Sequence, residues 1–215
     1  MQSEKAKLYE HVDFYRDLFG ISFNQPIKLV DVLACDSQFD LEYCAFTTPG
    51  LCGVAMVGEK TDTIILNSKR TPEEQNFDCG HELIHLTKHR KLRDSFNCFT
   101  KVKPQQNTFH EWQANEGSAQ FLVPYQDFIP RFTNLLKTNA IGIQYILASH
   151  YHVTTQVINI RMDSLAYEID QYQRGTPLDC LELLSRSQRK QRGIKPTCYR
   201  AICDFALDWG SAIGF

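Results

Sequence analysis

One pentapeptide constrains this chain more than any other feature: His81-Glu82-Leu83-Ile84-His85. It lies in a segment whose start is helix chemistry. Thr71 can cap, Pro72 suits the first helical position, and Glu74 can reach back to complete a capping box. The segment is expected to stay helical to about Arg90. Its apolar residues Phe77, Cys79, Leu83, Ile84 and Leu86 fall on more than one face, so the helix belongs in the middle of the fold. Two histidines four apart sit one turn above each other on the same face. Buried imidazoles need partners, and a metal ion would satisfy both. At that spacing two ring nitrogens can bind one zinc ion. Glu82 then projects beside the ion, placed to take a proton from a water that the metal acidifies. The plain alternative is a helix with two solvent-facing or hydrogen-bonded histidines.

A hydrolytic zinc site needs a third protein ligand and an open position. The best donor downstream is Glu111, in Glu111-Trp112-Gln113-Ala114-Asn115, with His110 and Glu116 as fallbacks. Asn115, one turn beyond Glu111, can orient a ligand histidine through its other ring nitrogen. Ala114, Gly117 and Ser118 make a small-residue face that would let this helix approach the first closely. A competing use of Glu111 exists. Thr108-Phe109-His110-Glu111 also reads as a capping box, in which Glu111 folds back onto the backbone.

Around these helices the chain of 215 residues reads as α+β. An amphipathic helix opens it, with Leu8, Val12, Tyr15 and Phe19 at helical spacing, and a short helix begins at Leu29–Leu33. Strands are expected at 41–46, 52–57 and 63–66, separated by Pro49-Gly50 and Gly58-Glu59-Lys60, as a small, largely antiparallel sheet. Further helices are expected at about 107–123, 125–136, 143–151 and 154–165. Residues 169–215 read as a helical extension, with helices at 178–184 and 199–209 and a basic, mobile connector at 186–195. A net charge of −2 gives no overall pull toward nucleic acid or anionic membrane, and no apolar run is long enough to span a bilayer. The N-terminus leads into a mixed-charge helix rather than a signal peptide, which points to the cytoplasm. The 8 cysteines include no Cys-x-x-Cys pair and read as reduced thiols in the core.

The run Asn67 … Glu74-Gln75-Asn76-Phe77-Asp78-Cys79-Gly80-His81-Glu82-Leu83-Ile84-His85-Leu86, followed by His110-Glu111-Trp112-Gln113-Ala114-Asn115 and Ala119 to Pro124, resembles the ImmA/IrrE family of metallo-endopeptidases over roughly residues 5–165. The resemblance implies a zincin-like domain over 1–168, zinc at His81, His85 and Glu111, and Glu82 as catalytic base. It also implies a protein substrate, since members are bacterial or phage proteins that cut a helix-turn-helix transcriptional repressor. Three positions depart from the family pattern. Ile84 stands where Gly is usual, Gln113 where Glu is usual, and Gly117 where a larger apolar residue is usual. A bulky Ile84 is expected to narrow the space near the metal.

Two other features compete for a role. Residues 143–165 have helix-turn-helix character, so a DNA-binding or repressor-binding regulator with a structural or idle metal site is the rival reading. A reading helix needs polar and basic side chains at its start. Only Arg161 is basic there, so the pair is expected to pack on the main domain instead. Tyr125, His150, Tyr151 and His152 are candidates for stabilising the oxyanion of a tetrahedral intermediate.

Overall fold

Packing begins around one sheet and two crossed helices. In the computed structural model, which describes residues 2–204, strands β1 (Phe39–Cys44), β2 (Leu51–Met56), β3 (Asp62–Asn67) and β4 (Ser95–Phe99) form a single sheet in the order β1-β3-β2-β4. β2 runs antiparallel to β3 and to β4, while β1 lies parallel to β3 with Phe39 opposite Asp62. The alternation in β3 explains the sheet's inner face: Asp62, Ile64 and Leu66 are buried and the residues between them are half-buried. β4 was not anticipated, although Ser95-Phe96-Asn97-Cys98-Phe99 alternates polar and apolar as a half-buried strand should.

The helices are α1 (Glu4–Leu18), α2 (Leu29–Ala34), α3 (Pro72–Lys88), α4 (Thr108–Leu122), α5 (Tyr125–Lys137), α6 (Ile143–Tyr151), α7 (Thr155–Ser164), α8 (Ala166–Gln173) and the short α9 (Arg186–Gln191). α3 starts as its sequence demands. The Thr71 hydroxyl accepts from the Glu74 N–H at 3.3 Å, and the Glu74 carboxylate accepts from the Thr71 N–H at 2.9 Å. The helix then runs beneath the sheet, buried from Cys79 through Leu86 between β2, β3 and α4. α1 closes the other side of α4 with Leu8, Tyr9 and Val12, all in the core.

α3 and α4 cross in close contact. A Cβ on Gly80 would come within 2.4 Å of Ser118 Oγ, and one on Gly117 within 2.8 Å of Ile84 Cγ1. Two of the family departures therefore answer each other: Ile84 on α3 fills the room that Gly117 leaves on α4. Ile84 is buried in that helix contact, so the expectation that it narrows the metal's surroundings is replaced by a packing role.

The tail departs from the sequence reading. Only Leu178–Cys180 makes a helical turn, and Leu181 is already extended. The reason is that α8 takes up the strap's backbone groups. The Glu182 N–H and carbonyl bond the Gln171 side chain at 3.0 Å, and the Leu184 N–H bonds Glu168 at 3.1 Å. The basic segment is not a plain connector either. Ser185 and Gln188 form a capping box that starts α9, and Arg189 is buried. Residues 199–204 are helical, and the rest of the helix expected to 209 lies outside the described residues. No helix among the described residues is long and apolar enough to cross a membrane.

The Ile84–Gly117 fit yields a double-mutant prediction. Gly117→Ala alone is expected to destabilise the chain by about 1–3 kcal/mol through overpacking, despite the gain in helix propensity. Combined with Ile84→Ala, the loss should fall short of the sum of the two single losses by about 1 kcal/mol or more in urea unfolding. Simple additivity would mean that the two side-chain positions do not compete for one space.

Candidate metal centre

α3 presents His81 and His85 on one face, each 1% exposed, toward the N-terminal turns of α4. What α4 offers back depends on its cap. Asn107 is the cap, and its side-chain oxygen accepts from the N–H groups of Phe109 and His110 at 2.9 and 3.2 Å. Thr108 is the first helical residue, so the Thr108–Glu111 capping box does not form. Glu111 is thereby left to its other use. Its carboxylate oxygens lie 3.4 Å from His81 Nε2 and 3.6 Å from His85 Nε2. The fallback donors are placed elsewhere: Glu116 is bound to Arg161 and Tyr9, and the His110 ring packs on His89.

The protons on the imidazoles follow from their outer partners. His81 Nδ1 faces the Asn115 carbonyl oxygen at 3.1 Å, so it must carry the proton and leaves Nε2 as a lone pair. His89 Nε2 faces Gln113 Oε1 at 3.0 Å and is likewise protonated, which makes His89 Nδ1 an acceptor. That atom lies 2.9 Å from His85 Nδ1, which therefore donates, and His85 Nε2 is again a lone pair. The two Nε2 atoms are 3.1 Å apart with a carboxylate beside them. Three electron-pair donors facing one another repel unless a cation draws them together, so these residues fit a metal ion. Burial, then the neighbouring His81, His89 and His110, push His85 down to about 2, which keeps it neutral as a ligand must be. Phe96 of β4 stacks on the same ring at 4.6 Å.

Glu82 completes the centre from within. It is 0% exposed, and neither carboxylate oxygen has a hydrogen-bond partner among the described residues. Burial raises its pKa well above the usual carboxylate range, and the charges of Asp78, Glu111 and Cys52 push the same way. Gly53 of β2 makes room for it: a Cβ there would lie 2.9 Å from Glu82 Oε1. An unpartnered buried carboxyl costs stability, and a perturbed group of this kind is a candidate for a functional role.

A sequence profile of the IrrE N-terminal-like domain of the M78 peptidases matches residues 39–163, more than half of the chain, a span that includes His81, Glu82, His85 and Glu111. The chain belongs to this family. It is a family of peptidases, and His81, His85 and Glu111 are a candidate metal site within it. Among curated proteins no significant sequence match is found. One solved structure that it is similar to is a Mycobacterium tuberculosis transcriptional regulator, with a TM-score of 0.49 and 14% identity, covering 74% of this chain and 47% of that one. The chain thus spans about half the length of that regulator.

Other expected site residues are engaged away from the metal donors. Tyr151 is buried and donates to Asp127 at 2.7 Å, with His150 near the same carboxylate at 3.7 Å. The His152 carbonyl accepts from Asn76, and Tyr125 stacks on Tyr9 at 5.7 Å. None of the four has a described contact with His81, Glu82, His85 or Glu111. Arg161, the one basic residue of the helix-turn-helix-like pair, is fully buried, bonded to Tyr9, Glu116, Gln120 and the Val123 carbonyl. It is not available to a phosphate backbone. The sequence reading missed His89 and the part Gln113 plays. The signal was present, since His81, His85 and His89 continue one four-residue spacing.

The orphaned carboxyl makes a stability prediction with a definite pH sign. Its folded pKa is raised, so the folded chain holds the proton more tightly than the unfolded chain. Stability is then full below about 4.5 and falls as pH rises toward the folded value. Glu82→Met should remove that slope and stabilise the metal-free chain at neutral pH by about 1–3 kcal/mol, measured by urea unfolding across pH. A loss of stability at neutral pH would show that the carboxyl is well partnered.

Proposed function

We propose that the chain is a zinc-dependent endopeptidase that cuts a regulatory protein, a helix-turn-helix transcriptional repressor. The observation that carries this reading is the convergence of His81 Nε2, His85 Nε2 and the Glu111 carboxylate beside a fully buried Glu82 that has no hydrogen-bond partner among the described residues. His81, His85 and Glu111 would hold the ion, an N/O donor set suited to zinc, and when bound it would supply Lewis acidity to the scissile carbonyl and to water.

The chain's own residues do the rest. Glu82 takes a proton from the attacking water and delivers it to the departing amine nitrogen. Asn115 and the His89–Gln113 pair fix both ligand tautomers, so no proton has to move when the ion binds. β4 is the last strand of the sheet and adjoins the centre through Phe96, so an extended peptide that displaces the Gln106 side chain from the Asn97 carbonyl could pair with its outer edge. That geometry favours an internal segment of a protein over a small substrate.

The peptidase unit is assigned to residues 1–168, including the helical pair 143–165, and residues 169–215 to an extension. The repressor target rests on the family resemblance. Action on such a target places the protein in the cytoplasm, in keeping with 8 free cysteines.

Glu82→Gln is expected to keep zinc at one equivalent in the His81 site while lowering cleavage of a co-encoded repressor about 10²–10⁴-fold, read by mass spectrometry of the products. Cleavage at the wild-type rate would remove Glu82 from the role of base.

A further inference from the structure

A second cluster of donors lies one turn back along α3. Cys52 of β2, Cys98 of β4 and Asp78 of α3 are 2%, 6% and 3% exposed, and their sulfur and carboxylate atoms lie within 4.8 Å of one another. The sequence gives no hint of it, because the two cysteines are 46 positions apart in the chain and belong to no Cys-x-x-Cys pair. What unites them is the strand register. Gly53 pairs with Cys98, and the register shifts between Leu51 and Gly53, so Cys52 is the extra residue of a bulge opposite Cys98. A bulge re-aims its side chain, and here it puts two sulfurs over the same helix.

We propose that Cys52, Cys98 and Asp78 form a second site, structural rather than hydrolytic, for a thiophilic divalent cation of the zinc class. This inference is independent of the function proposed for the His81 centre. In the metal-free chain the Cys52 thiol donates to the Gly50 carbonyl at 3.5 Å, and that carbonyl also accepts the Thr100 N–H at 2.9 Å. Two thiolates and a carboxylate are donors of the type that a zinc-class cation takes.

The charges also balance. Arg70 bonds the Asp78 carboxylate through Nε at 2.5 Å and Nη2 at 3.4 Å. Among the three donors, Arg70 and the cation themselves, two thiolates and one carboxylate offset one guanidinium and one divalent cation. Arg70 then orients a ligand from behind, as outer groups do around metal carboxylates. Binding releases the two thiol protons to solvent. Burial pushes Asp78 up to about 6 despite Arg70, so the carboxylate is ionised at pH 7.5. Placed there, the cation clips the edge strand β4 and its neighbour β2 to α3.

Cobalt(II) tests this directly, because only thiolate ligation gives an intense near-ultraviolet sulfur-to-cobalt charge-transfer band. The full chain, with 8 reduced thiols confirmed under denaturing conditions, is titrated with cobalt(II) at pH 7.5. The expected result is a saturable charge-transfer band in the wild type that survives Glu111→Ala and is lost in Cys52→Ser/Cys98→Ser. Asp78→Asn, which keeps both thiols, should weaken the cobalt affinity of the band at least about tenfold. No band in the reduced wild type overturns the proposal, and so does a band that persists in the double serine variant. Should that variant fail to fold by circular dichroism, the wild-type spectrum and the Asp78→Asn titration decide the matter. Loss of the band in Glu111→Ala would assign the sulfur signal to the first centre and overturn the second.

Discussion

The close crossing of α3 and α4 is the constraint on which the rest depends. Glycine at 80 and 117 lets the helices approach until Ser118 and Ile84 fill the gaps. Only at that separation can a short carboxylate on α4 reach two histidines on α3, and only then do Gln113 and Asn115 meet His89 and His81. Contacts at 111, 113 and 115 thus come from one helix turn and a half, all set by one packing distance. A site supported in this way is held by rigid elements rather than by loops, which is what precise chemistry requires.

The second constraint is electrostatic. α3 carries Asp78, Glu82, His81 and His85 into the core, and each is handled differently. Asp78 is paired with Arg70, His81 and His85 are oriented by Asn115 and His89, and Glu82 has no hydrogen-bond partner among the described residues. Burying an unpaired carboxyl lowers stability, and proteins accept such strain where the group has work to do. β2 reinforces the arrangement, because Gly53 lets backbone rather than side chain lie against Glu82.

Much of this was legible in the sequence, and the exceptions have physical reasons. The α3 start was readable because Thr71, Pro72 and Glu74 act within one helical turn. The His81–His85 pair was readable because its spacing is that of the helix itself. The capping of α4 was misread by one residue: Asn107 and Thr108 are both good caps, and the choice between them decides whether Glu111 is free. The tail helix at 178–184 failed because α8 side chains bind the strap's backbone, a tertiary effect that no local pattern encodes. The Ile84–Gly117 exchange looked like two unrelated departures until the helices were seen to share one space. The Cys52–Cys98 pairing lay hidden for the same kind of reason, since a one-residue bulge aligns positions far apart in the chain.

The central claim is that α3 and α4 jointly hold one zinc ion. Anomalous diffraction from crystals of the zinc-loaded chain, recorded on both sides of the zinc edge, tests it most directly. The account predicts a peak bounded by His81 Nε2, His85 Nε2 and a Glu111 oxygen at about 2.0–2.2 Å, with Glu82 beside the ion and not bound to it. A peak ligated by His110 or Glu116 in place of Glu111, or no zinc between the two histidines, would contradict it.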